Sequence, residues 1–142
     1  MTIIQTQTTS FKAELYEGIH NLLLDTIKIA LYNANADLTD STTAYSASNE
    51  ITGVGYVAGG KVMTGATINT SGFIAYVNFD NVVWTAPASF TARAALIYNS
   101  SKANRSIAIL DFGADKTVIA GQSFTIVMPS NTATSALIRS SN

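Results

Sequence analysis

The chain has no cysteine, one histidine, one tryptophan and two prolines among its 142 residues. Without cysteine there is no disulfide framework, no cysteine-based zinc site and no thiol nucleophile. A lone histidine, His20, excludes metal sites built on two or three imidazoles and leaves a single side chain for acid–base work. Charge is scarce too. Asp, Glu, Lys and Arg make up 12% of the residues, about half of ordinary usage, and the net charge is −1 with an isoelectric point near 5.6. A chain this poor in Lys and Arg does not neutralise many phosphates, so nucleic acid is not an expected partner. No apolar run approaches the roughly 20 residues of a bilayer-spanning helix, and no membrane partner is expected.

The apolar content is high all the same, at 47% with a mean hydropathy of +0.23, and it is spread over short runs. A weakly charged β protein coated in Thr, Ser and Asn is poorly protected against association as a free monomer. The surface is therefore expected to be covered by neighbours. The alternative from composition is an extracellular-type β-sandwich with a neutral polar skin. The length suits one domain whose core needs no covalent staple.

The stretch Ala92–Asp115 organises the rest. Two apolar runs, Ala94–Tyr98 and Ile107–Phe112, flank a loop rich in Asn and Ser, which predicts a β-hairpin. Neither run alternates strictly, so both faces are expected to be covered, by a second layer or by a neighbouring subunit. Residues 1–9 lack the basic and apolar regions of a secretory signal and read as an extended arm. Ser10 is the expected N-cap of a short helix with Phe11, Leu15 and Ile19 on one face. In Asp25–Tyr32, Ile27, Ile29 and Leu31 alternate with Thr26, Lys28, Ala30 and Tyr32, a clear strand. Residues 33–58 are loop-like and long enough to suggest docking against a partner. Further strands are predicted over 61–69, 73–79, 82–85, 90–98, 106–112, 116–120, 122–128 and 136–139, with Pro87 breaking the chain before Phe90. The pattern predicts a mainly β chain: an antiparallel β-sandwich or jelly roll with one short N-terminal helix. The expected organisation is an arm over 1–9, one domain over 10–139 and a polar tail over 140–142.

Motifs for chemistry are thin. Asp111-Phe112-Gly113 matches a kinase tripeptide but lacks the companion motifs, and reads as a strand end. Gly53 to Lys61 lacks the hydroxyl residue and the following helix of a phosphate loop. His20 is expected to donate to a carbonyl at the helix end. Asp37 with Asp40, and Asp111 with Asp115, offer oxygens to a hard cation, but neither spacing fits a calcium loop and both suit turns. Trp84, with Tyr76 and Phe79, is either a sugar-stacking platform or a core or interface anchor. The Asn-X-Ser/Thr matches at Asn69, Asn99 and Asn104 are expected by chance in so Ser- and Thr-rich a chain. No enzyme, cofactor or metal is expected.

Several blocks carry a resemblance: Phe11-Lys-Ala-Glu-Leu-Tyr-Glu-Gly-Ile-His-Asn, Asp25-Thr-Ile-Lys-Ile-Ala-Leu-Tyr-Asn, Thr42-Thr-Ala-Tyr, Asn49-Glu-Ile-Thr-Gly-Val-Gly-Tyr-Val-Ala-Gly-Gly, Thr91-Ala-Arg-Ala-Ala-Leu-Ile-Tyr-Asn-Ser-Ser and Ala108-Ile-Leu-Asp-Phe-Gly-Ala-Asp-Lys-Thr. In this order, over most of the chain, they resemble a family of small virion structural proteins of tailed bacteriophages. Leu22-Leu-Leu departs from the more polar residues expected there. The resemblance implies a virion component in many copies, a capsid decoration (cement) protein that bridges capsomers, with the major capsid protein and other virion proteins as partners. A homo-oligomer, favouring a trimer, is implied as well, and a tail or head–tail joining role is the alternative place. The arm is expected to add a strand to an adjacent sheet edge through Ile3 and Ile4. Together with Tyr45, Tyr56 and Trp84 these are the candidate interaction residues. A glycan-binding module using Trp84 and nearby tyrosines is the competing reading.

Overall fold

A computed structural model describes residues 1–141. Strands account for 48% of the chain and helix for 6%, arranged as two antiparallel sheets with one short helix in a sandwich-like fold, so the expected mainly β class holds. The elements are β1 (Thr6–Gln7), α1 (Thr9–Tyr16), β2 (Ile27–Tyr32), β3 (Lys61–Val62), β4 (Thr67–Ser71), β5 (Ile74–Asn78), β6 (Val82–Asn99), β7 (Arg105–Ile126) and β8 (Ile138–Ser140). One sheet has the order β1-β7-β6-β2-β3 and the other β4-β5-β8.

The predicted hairpin is the spine of the larger sheet. Ala95 faces Leu110 and Ile97 faces Ala108, and β2 flanks β6 with Ile29 opposite Ile97. Both faces are covered, as the lack of alternation predicts, and the cover comes from within the chain. Ile27, Ile29 and Leu31 of β2 join Ala95 and Ile97 in a main core that also takes Phe11, Trp84, Val77 and Ile138. On the opposite face Ala30, Tyr32, Ala94, Leu96, Tyr98 and Ile109 lie under Ala36, Leu38, Ile3 and Tyr45. The long polar connection expected to lie against a partner thus folds back on its own sheet. Its few apolar side chains decide this: Leu38 is only 5% exposed, and burying such a side chain contributes about 1.5–3 kcal/mol.

The N-terminal segment also departs from expectation. Thr6 and Gln7 pair with Ile109 and Ala108, Ile4 N donates to Leu38 O at 2.9 Å, and Leu38 N to Thr2 O at 2.8 Å. Rather than a free arm, it is the edge strand of its own sheet, where its main-chain groups find partners. Thr8, not Ser10, caps α1, its hydroxyl accepting from Phe11 N. The buried face of α1 carries Phe11 and Glu14, while Leu15 is only partly buried.

The separate strands predicted on either side of Pro87 form one strand, β6. A register shift between Trp84 and Ala88 absorbs the proline, which sits at an exposed position in the irregular stretch. Likewise 106–112, 116–120 and most of 122–128 are one long strand, β7, with Gly113 and Gly121 at φ 80° and 89°. The predicted 61–69 strand divides into β3 and β4, which belong to different sheets. The last strand reaches Ser140, so Ser141 alone of the expected polar tail follows it, and Asn142 lies outside the described residues.

Beyond the reach of β2, the distal part of the hairpin is a two-stranded ribbon with sharply different faces. Val82, Trp84, Phe90, Val118 and Ile126 are buried. Their alternates Val83, Thr85, Thr91, Thr117, Ile119 and Thr125 are exposed, as the two-residue period of a strand requires. Val83 faces Thr125 and Thr91 faces Thr117 across the strands, the two threonine hydroxyls 2.8 Å apart.

Candidate functional site

Trp84 is 1% exposed and packs against Tyr56, Phe90 and Phe124, with ring centroids 6.3, 6.4 and 5.9 Å away. A buried indole cannot offer a face to a sugar, and Phe79 is buried as well. The stacking platform is therefore replaced by a core anchor, the other role weighed for this residue.

Tyr45 and Tyr56 turn inward and meet at Glu50. The Tyr45 hydroxyl donates to Glu50 Oε1 at 2.6 Å, while the Tyr56 hydroxyl and the Gly59 N–H donate to Oε2 at 2.5 and 2.8 Å. The Tyr56 oxygen in turn accepts from Leu31 N at 3.0 Å. Tyr98 donates to Gly59 O at 2.6 Å and Tyr32 to Ser46 O at 2.7 Å, and the Tyr45 ring stacks on Tyr98 at 4.8 Å. Burial, with the hydrogen bond to the Glu50 carboxylate, pushes the Tyr45 phenol up to about 12. Burial first and Glu50 second also raise Tyr32, Tyr56 and Tyr98. All four stay neutral donors near neutral pH, so the cluster ties the 33–60 connection to the sheet. Nothing local in the sequence announces it, because the tyrosines are scattered over four segments and Glu50 stands alone in a polar loop. Glu50→Ala orphans three donors and is expected to cost about 3 kcal/mol in urea unfolding.

Of the two other predicted interaction residues, Ile3 is half-buried on the Leu38 patch and Ile4 stays exposed. They sit on the same docked segment, apart from the tyrosine cluster.

A second polar cluster surrounds His20, whose side chain is fully buried. Its Nε2 lies 2.8 Å from Glu14 Oε1, and Arg105 donates to Glu14 Oε2 at 2.7 Å. The Asn99 amide donates to His20 Nδ1 at 3.0 Å and to Asp25 Oδ2 at 2.8 Å. Lys102 Nζ lies 3.5 Å from Asp25 Oδ1. The expected bond from His20 to a helix carbonyl is replaced by the one to Glu14, because a buried carboxylate needs its partners more than a helix end does. Burial would raise both Glu14 and Asp25. Hydrogen bonds from His20 and Arg105 outweigh it at Glu14, and those from Asn21 N and Asn99 outweigh it at Asp25, so both are held below their ordinary values. Their contribution to stability is present above the usual carboxylate range and is lost as pH falls through the lowered folded values. The imidazole has both nitrogens engaged and no exposed side-chain atom, so no substrate reaches it.

The remaining motifs resolve into turns and ties. Asp111 Oδ1 accepts from Gly113 N at 2.9 Å, and Asp37 Oδ1 from Thr2 N at 2.7 Å. Gly53 to Gly60 leads into β3, with no helix behind it. Among the described residues no three His, Asp or Glu side chains are grouped to hold a metal ion.

One surface open to a partner is the outer face of the ribbon. Val83 is 37%, Ile119 60% and Val127 71% exposed, among threonines and without a charged residue between Thr117 and Val127. Comparison with protein-family models, curated proteins and solved structures finds no match.

Proposed function

We propose that the chain is a non-enzymatic structural protein of a tailed bacteriophage virion, a capsid decoration protein that contacts the major capsid protein and copies of itself. The observation that carries this reading is the uncharged, β-branched outer face of the β6–β7 ribbon, which water solvates poorly and a neighbouring protein surface covers well. The ordered resemblance to small phage virion proteins supports it, as does the low charge of the whole chain. The burial of Trp84 removes the platform on which a glycan-binding role rested. Tail and head–tail positions belong to the same class of reading and differ in where the face is buried.

Charging the face separates attachment from folding. The double variant Ile119→Glu, Val127→Glu changes two exposed side chains and is expected to fold with stability within about 0.5 kcal/mol per site. It should fail to co-sediment with phage particles prepared without the protein, to which the unaltered chain binds. Equal co-sedimentation of variant and parent would refute the assignment of this face.

A further inference from the structure

A strand at the margin of a sheet leaves a row of main-chain groups without a neighbour, and such margins are normally blunted by shortness, charge, proline or bulges. Most edges of this fold follow that rule. β1 and β3 are two residues long, β3 opening on Lys61, and β8 is three residues long with Arg139 at its centre. The margins of the ribbon are broken by register shifts and carry Pro87 on one strand, Asp115 and Lys116 on the other. The exception among the described strands is β4. Thr67–Ser71 is exposed throughout, pairs with β5 alone in unbroken register, and holds neither a charge nor a proline. Its one large apolar side chain, Ile68, is 48% exposed.

The hairpin turn fixes which groups of β4 are free. Ser71 and Ile74 close it around Gly72 and Phe73, with Gly72 at φ 58° in the first turn position, as a type II′ turn requires. The closing pair of such a turn is hydrogen-bonded. Main-chain groups of Ser71, Asn69 and Thr67 therefore point to β5, and those of Ile68 and Thr70 point outward. A second β4, laid antiparallel and overlapping all five residues, sets Ile68 of each copy opposite Thr70 of the other, where they exchange both main-chain bonds. Asn69 then faces its own copy at the non-hydrogen-bonded position, with Cα atoms about 4.5 Å apart. An amide donates and accepts at once, so two asparagines can pair across such an axis.

We propose that β4 joins two copies of this chain, edge to edge about a two-fold axis through Asn69, so that two three-stranded sheets become one continuous sheet. A second copy is the occupant that the charge pattern favours. About a two-fold axis a surface patch meets itself, and any charge on it would be set against its own kind. From Val62 to Phe79 the chain carries no charged residue, so nothing in the β4–β5 hairpin opposes its own image. On the inner face Ile68 gains the cover of Thr70 from the other copy, the neighbour that an edge position denies it. A single strand pair lies at the low end of specific interface sizes, so the dimer forms in concentrated protein. The contact uses no part of the ribbon face and does not depend on the capsid reading.

Because the chain has no cysteine, a single introduced thiol reads the register directly. Asn69→Cys brings two thiols to a Cα separation that a disulfide spans, and concentrated protein is expected to form a covalent dimer under mild oxidation. Ser71→Cys is the control. Its copies would lie about 13 Å apart along the strands, beyond a disulfide's reach, and it should stay monomeric. Adding Thr70→Pro to Asn69→Cys removes an outward N–H and leaves the ladder to β5 intact, so the crosslink should be lost. No dimer from Asn69→Cys, equal crosslinking at 69 and 71, or a crosslink undiminished by the proline overturns the pairing. Should the proline variant fail to fold, hydrogen exchange of the unaltered chain decides. The amides of Ile68 and Thr70 are expected to gain protection in concentrated over dilute protein. No gain, or a gain that appears only when phage particles are added, refutes pairing between copies.

Discussion

Gly60→Ala is expected to abolish folding or to lower stability by about 4 kcal/mol or more. Gly60 sits at φ 81°, and a Cβ there would fall 1.8 Å from the carbonyl oxygen of Ile29 and 2.8 Å from Ala30 Cα. Both are main-chain atoms of β2, the strand on which the two buried faces depend, so nothing flexible yields. Gly121→Ala is the control, because it shares a positive φ of 89° but has nothing within 4 Å of the added Cβ. Only backbone strain remains there, about 1–3 kcal/mol. Urea unfolding of the two variants against the parent measures the difference. Equal losses would mean that the approach of the Gly60 turn to β2 is looser than described.

Trp84→Ala is the other large effect, with an expected loss of about 3–5 kcal/mol. The indole lies between Tyr56, Phe90 and Phe124 beneath the ribbon, and removing it leaves a cavity that the paired strands on either side cannot close. The same burial predicts blue-shifted native fluorescence, poor quenching by acrylamide and no response to added sugars. A loss under about 1 kcal/mol, typical of surface changes, or quenching by a glycan would restore Trp84 as a binding residue.

The fold class was legible because the two runs around Ser100–Asn104 are apolar at every position but Asp111, and such strands need cover on both faces. What covers them was not legible. Ala36, Leu38 and Tyr45 stand irregularly in a polar connection, and only long-range packing selects them. Glu14 displaced Leu15 from the buried face of α1 because Arg105, ninety-one residues away in the chain, and His20 satisfy its carboxylate. An eight-residue helix has too few turns for periodicity to reveal this. Of the candidate interaction residues, Trp84, Tyr45 and Tyr56 drew notice for their size, which serves burial as readily as binding. The ribbon's outer face escaped notice because Thr and Val in alternation look like any half-buried strand, and no side chain marks which side meets water.

Scarcity of charge also reads differently once the internal cover is known. The connection and the N-terminal segment cover the outer face of the larger sheet with their own apolar side chains, and the outer face of the ribbon is one uncharged surface left open. The account therefore turns on whether that surface meets protein. For the proposed virion role, the most direct test is a cryo-EM reconstruction of tailed-phage particles produced from a genome that carries this chain. The chain is predicted to be present in many copies on the particle, with Val83, Ile119 and Val127 buried against a neighbouring subunit. Virions that lack the chain, or hold it with those three side chains facing solvent, would contradict the account.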